Sequence, residues 1–238
     1  MNNQNSHISI GILAGMGPRS TTPFLELVLD QCQIQYGAKD DIDYPHMVVY
    51  ALPTPYYVDR VNDDRALGQS IIEGTKRLAS FGVDYIAIPC NTAHKYYNDI
   101  QKNVHTKVLN IIDVTLKNIP KHGKVTVLAT ETTMETYLYQ KGILENGGQY
   151  KFVHSWQKQV NAIIAMCKDA EDKNKRLQCW QQLMKDIQEE GVRHVVVACT
   201  DLTMLIEENS TLNYIDSSMA LAEAVVQEYV KRKKIKQK

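Results

Sequence analysis

"GVDYIAIPCNT", residues 82–92, runs from a glycine through an apolar core into a proline, a cysteine and two polar residues. Ile86, Ala87 and Ile88 read as the end of a buried strand, and Cys90 stands where that strand stops. Alone, the stretch leaves the role of Cys90 open, because free cysteine is commonly a buried, inert small hydrophobe. A second stretch changes the reading. "GVRHVVVACTD", residues 191–201, aligns with it without a gap: Gly-Val, an aromatic ring, three apolar residues, a proline or small residue, then cysteine. Each cysteine lies eight residues beyond its glycine (90 − 82 and 199 − 191). Each segment also follows an amphipathic stripe, so each glycine is placed to close a helix. The repeat reads as one structural unit used twice.

Outward from this pair, short Val- and Ile-rich runs alternate with segments of helical period. Residues 8–13, 47–52, 85–88, 108–112, 125–128, 150–154 and 194–198 read as strands, and 214–215 as a short eighth. Several lack polar alternation, as strands covered on both faces of a parallel sheet do. Four helical stripes separate them. They are Leu67, Ile71, Ile72, Leu78 and Ala79; Val160, Ile163, Ile164 and Cys167; Leu177, Trp180, Leu183, Met184 and Ile187; and Ala222, Val225, Val226, Tyr229 and Val230. Cys32, Cys167 and Cys179 read as packing. The openings "ISIGILAGMGP" and "VTVLATETT" also match weakly, each passing through Leu-Ala into a turn. The pattern predicts an α/β chain of two similar domains, each a mostly parallel sheet flanked by helices. Pro120 and Gly123 in "KNIPKHGK" mark the boundary.

The 238 residues hold 27 Lys+Arg against 27 Asp+Glu, a formal charge of zero, which argues against a nucleic-acid or acidic-membrane partner. The basic run "KRKKIKQK", residues 231–238, reads as a solvated tail. No stretch approaches the roughly 18 apolar residues of a membrane span. The first ten residues lack the basic and apolar regions of a secretion signal. Five cysteines without a Cys-x-x-Cys pair indicate neither a disulfide scaffold nor a zinc ribbon. A cytoplasmic protein is expected.

In open parallel sheets ligands bind beyond the carboxyl ends of strands, where Cys90 and Cys199 both fall. A helix starting after each would favour a thiolate. Asn91, Thr92 and Thr200 add hydroxyl and amide donors. His94 lies four residues after Cys90 with no counterpart after Cys199, so it reads as orienting the turn. A metal reading lacks a close-spaced ligand pair other than Cys90 and His94. Two equivalent thiols suit a different chemistry, taking a proton from one face of a carbon and returning one to the other.

At "IGILAGMGP" (10–18), "PCNTAH" (89–94), "LATETTM" (128–134) and "ACTDL" (198–202), in that order, the chain resembles the aspartate/glutamate racemases that work without pyridoxal phosphate. The resemblance implies two similar α/β domains with the active site in the interdomain cleft. It implies no cofactor or metal, an amino-acid substrate and a homodimer. The last helix would return to the first domain, giving residues 1–118 plus 212–238 and residues 119–211. Cys90 and Cys199 would be the acid/bases. Asn91, Thr92, Thr130, Thr133 and Thr200 would hold the α-carboxylate and amino group, with Met16 in the Gly-rich loop. Lys168 falls where relatives place a lysine near the side-chain carboxylate, though it could equally be an ordinary exposed helix residue. Some aspartate racemases carry Pro-Asp-Arg after the second strand. Here "LPTPYYVDR" offers Tyr57 and Arg60 instead, and Asp201 stands in place of a glutamate. Aspartate is the expected substrate. A maleate-isomerase-like, hydantoin-racemase-like or decarboxylase relative that also uses strand-end cysteines, or a non-catalytic amino-acid-binding module, would share the fold.

Overall fold

The computed structural model describes residues 7–57, 60–169, 173–207 and 210–236. Residues 1–6 at the N-terminus, Val58 and Asp59 of "YYVDR", and the last two residues of the basic run lie outside the described residues. Eight strands are present among the described residues: β1 Ser9–Ala14, β2 His46–Ala51, β3 Tyr85–Ala87, β4 Lys107–Leu109, β5 Lys124–Leu128, β6 Gln149–Tyr150, β7 His194–Val197 and β8 Asn213–Asp216. The helices are α1 Thr21–Tyr36, α2 Asp64–Ala79, α3 Tyr97–Asn103, α4 Ile111–Leu116, α5 Glu131–Glu135, α6 Leu138–Glu145, α7 His154–Asp169, α8 Lys173–Glu189 and α9 Ser217–Lys236.

The strands form two all-parallel sheets of the same topology, β2-β1-β3-β4 and β6-β5-β7-β8. In each, the first and third strands are central. They are the apolar runs of the sequence, and Ile10, Ile12, Tyr85, Val195, Val196 and Val197 are fully buried. Register is set by pairs such as Ile12 with Val49 and Ala87, and Val196 with Val127 and Ile215. The outer strand β2 leaves His46, Val49 and Ala51 exposed, as an edge strand does.

Two expected strands are shorter by more than one residue than the sequence indicated. The run 108–112 is divided, with β4 ending at Leu109 and Ile111 and Ile112 opening α4. The cause is distant in sequence, since the Ile111 N–H donates to the His94 ring. The run 150–154 keeps one residue in the two-residue edge strand β6 and ends in α7. The third helical stripe is also narrower than expected: Leu177 is 38% exposed, while Trp180, Leu183, Met184 and Ile187 are buried.

The repeated glycines end their helices in the left-handed conformation, Gly82 at φ +76° and Gly191 at φ +72°. Gly191 follows directly on the capping residue of α8, where the Val192 N–H donates to the Ile187 carbonyl in Schellman fashion. Gly82 sits one residue further on, after an extra tight turn in which its N–H donates to the Ala79 carbonyl. The basic run completes α9, where Lys233, Lys234 and Lys236 oppose the helix dipole in the last turn. No helix among the described residues is long and apolar enough to cross a membrane.

The chain divides into two compact units. One holds the described residues up to Pro89, Tyr96–Asn110 and the chain from Leu221 onward; the other holds Cys90–Lys95 and Ile111–Ala220. The core of the first includes Phe24, Val28, Leu67, Ile71, Leu78, Val225 and Val226. The core of the second gathers Leu128, Trp156, Val160, Ile163, Trp180, Leu183, Ile187 and β7, with Cys167 and Cys199 among its members. Cys32 and Cys167 are buried packing residues, as expected, and Cys179 is half-buried.

Candidate functional site

Cys90 and Cys199 belong to the same unit, as do Asn91, Thr92, Thr130, Thr133, Lys168 and Thr200. A helix does start after Cys90, as the short 3-10 helix Thr92–Tyr96. After Cys199 the chain makes a tight turn, with the Leu202 N–H donating to the Cys199 carbonyl at 2.9 Å, and only then a 3-10 turn at Thr203–Leu205. Neither sulfur therefore faces the dipole of a long helix.

The electrostatics follow. Burial pushes the Cys90 thiol up to about 11, against the pull of the Ala93 and Thr92 backbone N–H groups and Lys168; the Asp201 carboxylate pushes the same way as burial. Cys199 goes higher still. It is packed into the apolar core, and burial, the Asp201 carboxylate and any charge on Cys90 all raise it, opposed by the Asp201 N–H and Lys168. The sequence reading of helix-lowered thiols is thus corrected: burial wins at both positions. A charge on Cys90 raises Cys199, so one thiolate beside one thiol is favoured over two thiolates.

In the same unit, three threonine hydroxyls form a triangle. Thr92 Oγ1 lies 3.0 Å from Thr130 Oγ1 and 3.1 Å from Thr133 Oγ1, and those two are 3.0 Å apart. Thr130 also caps α5, accepting the Thr133 N–H at 3.2 Å. Each hydroxyl has one proton and two lone pairs, so the triangle can turn its donors outward to an anion. Thr200 is buried beside Cys199. On α7, Lys168 Nζ stands 4.0 Å from Asp201 Oδ2 and is largely shielded, so it is no ordinary exposed helix lysine. Burial raises the Asp201 carboxyl and Lys168 opposes that shift.

His94 does orient the turn. The Ile111 N–H can only donate, so Nε2 is the bare nitrogen and Nδ1 carries the proton, which it donates to the Cys90 carbonyl at 2.8 Å. Both ring nitrogens are thereby engaged in holding the backbone. Met16, Tyr57 and Arg60 lie in the other unit, where the Arg60 guanidinium stacks over the exposed Tyr57 ring at 4.7 Å.

The Asp/Glu/hydantoin racemase model matches residues 13–225. The chain belongs to the Asp/Glu/hydantoin racemase family. Membership makes it a racemase. It is 43% identical over 223 residues to the broad specificity amino-acid racemase RacX of Bacillus subtilis (strain 168), covering 93% of this chain and 98% of that one. The aspartate racemase of Picrophilus torridus superposes with a TM-score of 0.79 at 25% identity, covering 94% of each chain. The glutamate racemase of Francisella tularensis, solved with D-glutamate, shares the racemase fold at a TM-score of 0.65 and 14% identity, over 95% of this chain and 82% of that one.

Within this racemase, sequence reasoning missed two residues that grip Asn91. The fully buried Tyr139 donates its hydroxyl to Asn91 Oδ1 at 2.6 Å, and Asn91 Nδ2 donates to Ser217 Oγ at 2.9 Å. No sequence spacing links Tyr139 or Ser217 to Cys90, 49 and 127 residues away (139 − 90 and 217 − 90).

Proposed function

We propose that the protein interconverts L- and D-amino acids without a cofactor, with Cys90 and Cys199 as the two acid/base groups. The observation that supports this most is the meeting of both strand-end cysteines in one unit, close enough for a charge on one to raise the other. Cys90, the less strongly raised thiol, is the group that loses its proton first. A Cys90 thiolate takes the α-proton from one face, and the Cys199 thiol gives its own proton to the other face. The product is the opposite enantiomer, with Cys90 now protonated and Cys199 charged. Proton exchange with solvent restores the starting state, and the reverse reaction starts from the Cys199 thiolate.

The carbanion formed on the way needs its carboxylate held by donors. The Thr92–Thr130–Thr133 triangle, Thr200 and the second Nδ2 hydrogen of Asn91 are the groups we assign to that work. Aspartate is the first substrate we assign, within a wider range, because the 43% identical relative carries a broad-specificity name. Lys168 is the cation we assign to a side-chain carboxylate. The same reading expects a cytoplasmic homodimer.

The test is incubation of the purified protein, with no added cofactor, in deuterated water with L-aspartate, L-glutamate, a panel of neutral and basic amino acids and a 5-substituted hydantoin. Loss of the α-proton signal with growth of the opposite amino-acid enantiomer supports the proposal. Turnover of the hydantoin alone, or no exchange with any amino acid at high protein concentration, sinks it.

A further inference from the structure

The bonds on Asn91 have only one consistent direction. The Val197 carbonyl can only accept, so the Ser217 hydroxyl donates to it, at 2.9 Å. Ser217 Oγ then accepts from Asn91 Nδ2, which leaves Oδ1 to take the Tyr139 hydroxyl. The amide is therefore locked against flipping. The chain of bonds also has a destination. Val197 is the last residue of β7, two residues before Cys199, while Asn91 is the residue after Cys90. One buried path, Cys90–Asn91···Ser217···Val197–Ala198–Cys199, joins the two thiol-bearing turns. Ser217, Val197 and Asn91 are almost wholly withdrawn from water, so these bonds have no solvent competitor.

We infer that Ser217, with Tyr139 behind Asn91, is a positioning residue that sets the spacing and aim of the two thiols toward each other. Neither need touch a substrate; both act through Asn91. The inference rests on the two-cysteine reading above. Two-base inversion depends on that spacing in a particular way. Abstraction needs one thiol in place, whereas delivery to the opposite face needs the second at the right distance at the same moment. Loosening the bridge should leave abstraction, exchange of the Cys90 proton with solvent and same-face return running while inversion fails.

Ser217→Ala tests this, with Tyr139→Phe as a second variant that removes only the hydroxyl behind Asn91. For wild type and both variants, the rate of solvent deuterium entry into the starting enantiomer is compared with the rate of formation of the opposite one. The inference predicts that inversion falls about tenfold to a hundredfold relative to exchange. A merely structural role would lower both rates by one factor, and that result overturns it, as would an unchanged ratio. If one variant does not fold, judged by circular dichroism, the other supplies the same ratio. Wild-type protein that neither exchanges nor inverts fails the racemase reading itself. Wild-type protein that inverts normally, with variants of unchanged ratio, fails only the inference.

Discussion

The turns after β3 and β7 come from one repeated pattern, yet they hold their cysteines differently. At the second, the turn satisfies itself, since the Leu202 N–H takes the Cys199 carbonyl. At the first, the equivalent carbonyl is held by a side chain of the turn, His94, which also fixes the start of α4. The sulfurs differ in the same sense. Cys199 sits in the apolar core next to the Asp201 carboxylate, whereas Cys90 is half-buried and receives two backbone N–H groups. A duplicated scaffold has thus been given unequal surroundings. Two thiols with identical surroundings would compete to ionise at one pH. Unequal ones sort themselves into a base and an acid.

The strongest way to break this comparison is to remove one thiol. Cys90→Ser and Cys199→Ser should each lower inversion by 10²-fold to 10⁴-fold, the usual worth of a positioned proton-transfer group, as followed by chiral chromatography. Full activity in either variant would reject the pairing. Removing the clamp should cost stability at one turn only. His94→Ala orphans the Ile111 N–H and the Cys90 carbonyl and leaves a gap, for about 2–4 kcal/mol in urea unfolding. An unchanged midpoint would show that the Cys90 turn, like its counterpart, holds itself.

The asymmetry of charge can be sharpened through pH. Asp201 pushes both thiols up, so Asp201→Asn should bring both down, while Lys168 continues to pull the same way. Thiolate forms as pH rises through a thiol's pKa, so alkylation of Cys90 by iodoacetamide should climb with pH toward about 11 in the wild type. In the variant the curve should move to lower pH, with a severalfold faster reaction at pH 8. A curve that stays in place would remove Asp201 from the account.

The smallest effect tests the likeness of the halves rather than their difference. Gly82 and Gly191 share a left-handed backbone; a Cβ at Gly82 would enter open space, and one at Gly191 would meet only the far end of the Lys124 side chain, at 3.3 Å. Gly82→Ala and Gly191→Ala should therefore each destabilise by about 1–2 kcal/mol, chiefly through backbone strain since the Lys124 side chain can move aside, and by similar amounts. Unequal thermal shifts would show that the extra turn before Gly82 changes its role.

Much of this was legible in the chain. The ungapped repeat, with apolar strands that lack alternation, foretold two parallel sheets and put Cys90 and Cys199 at equivalent strand ends. Residues 128–134 and 198–202 pointed to the threonines. What stayed hidden is what side chains do across long sequence gaps. The division of 108–112 into β4 and α4 depends on His94, and the lock on Asn91 depends on Tyr139 and Ser217. The thiol environments were misread for the same reason: local sequence indicates a turn and its N–H donors, but burial is set by the whole core.

The central claim, two unequal thiols working on opposite faces, is tested most directly by the isotope in the first product formed. With L-aspartate in deuterated water, sampled before a few per cent has turned over, the account predicts that D-aspartate carries deuterium at Cα while the remaining L-aspartate still carries protium. D-aspartate that keeps the protium of its substrate would mean that one group moves the proton from face to face, and would contradict the assignment of Cys90 and Cys199 as a pair.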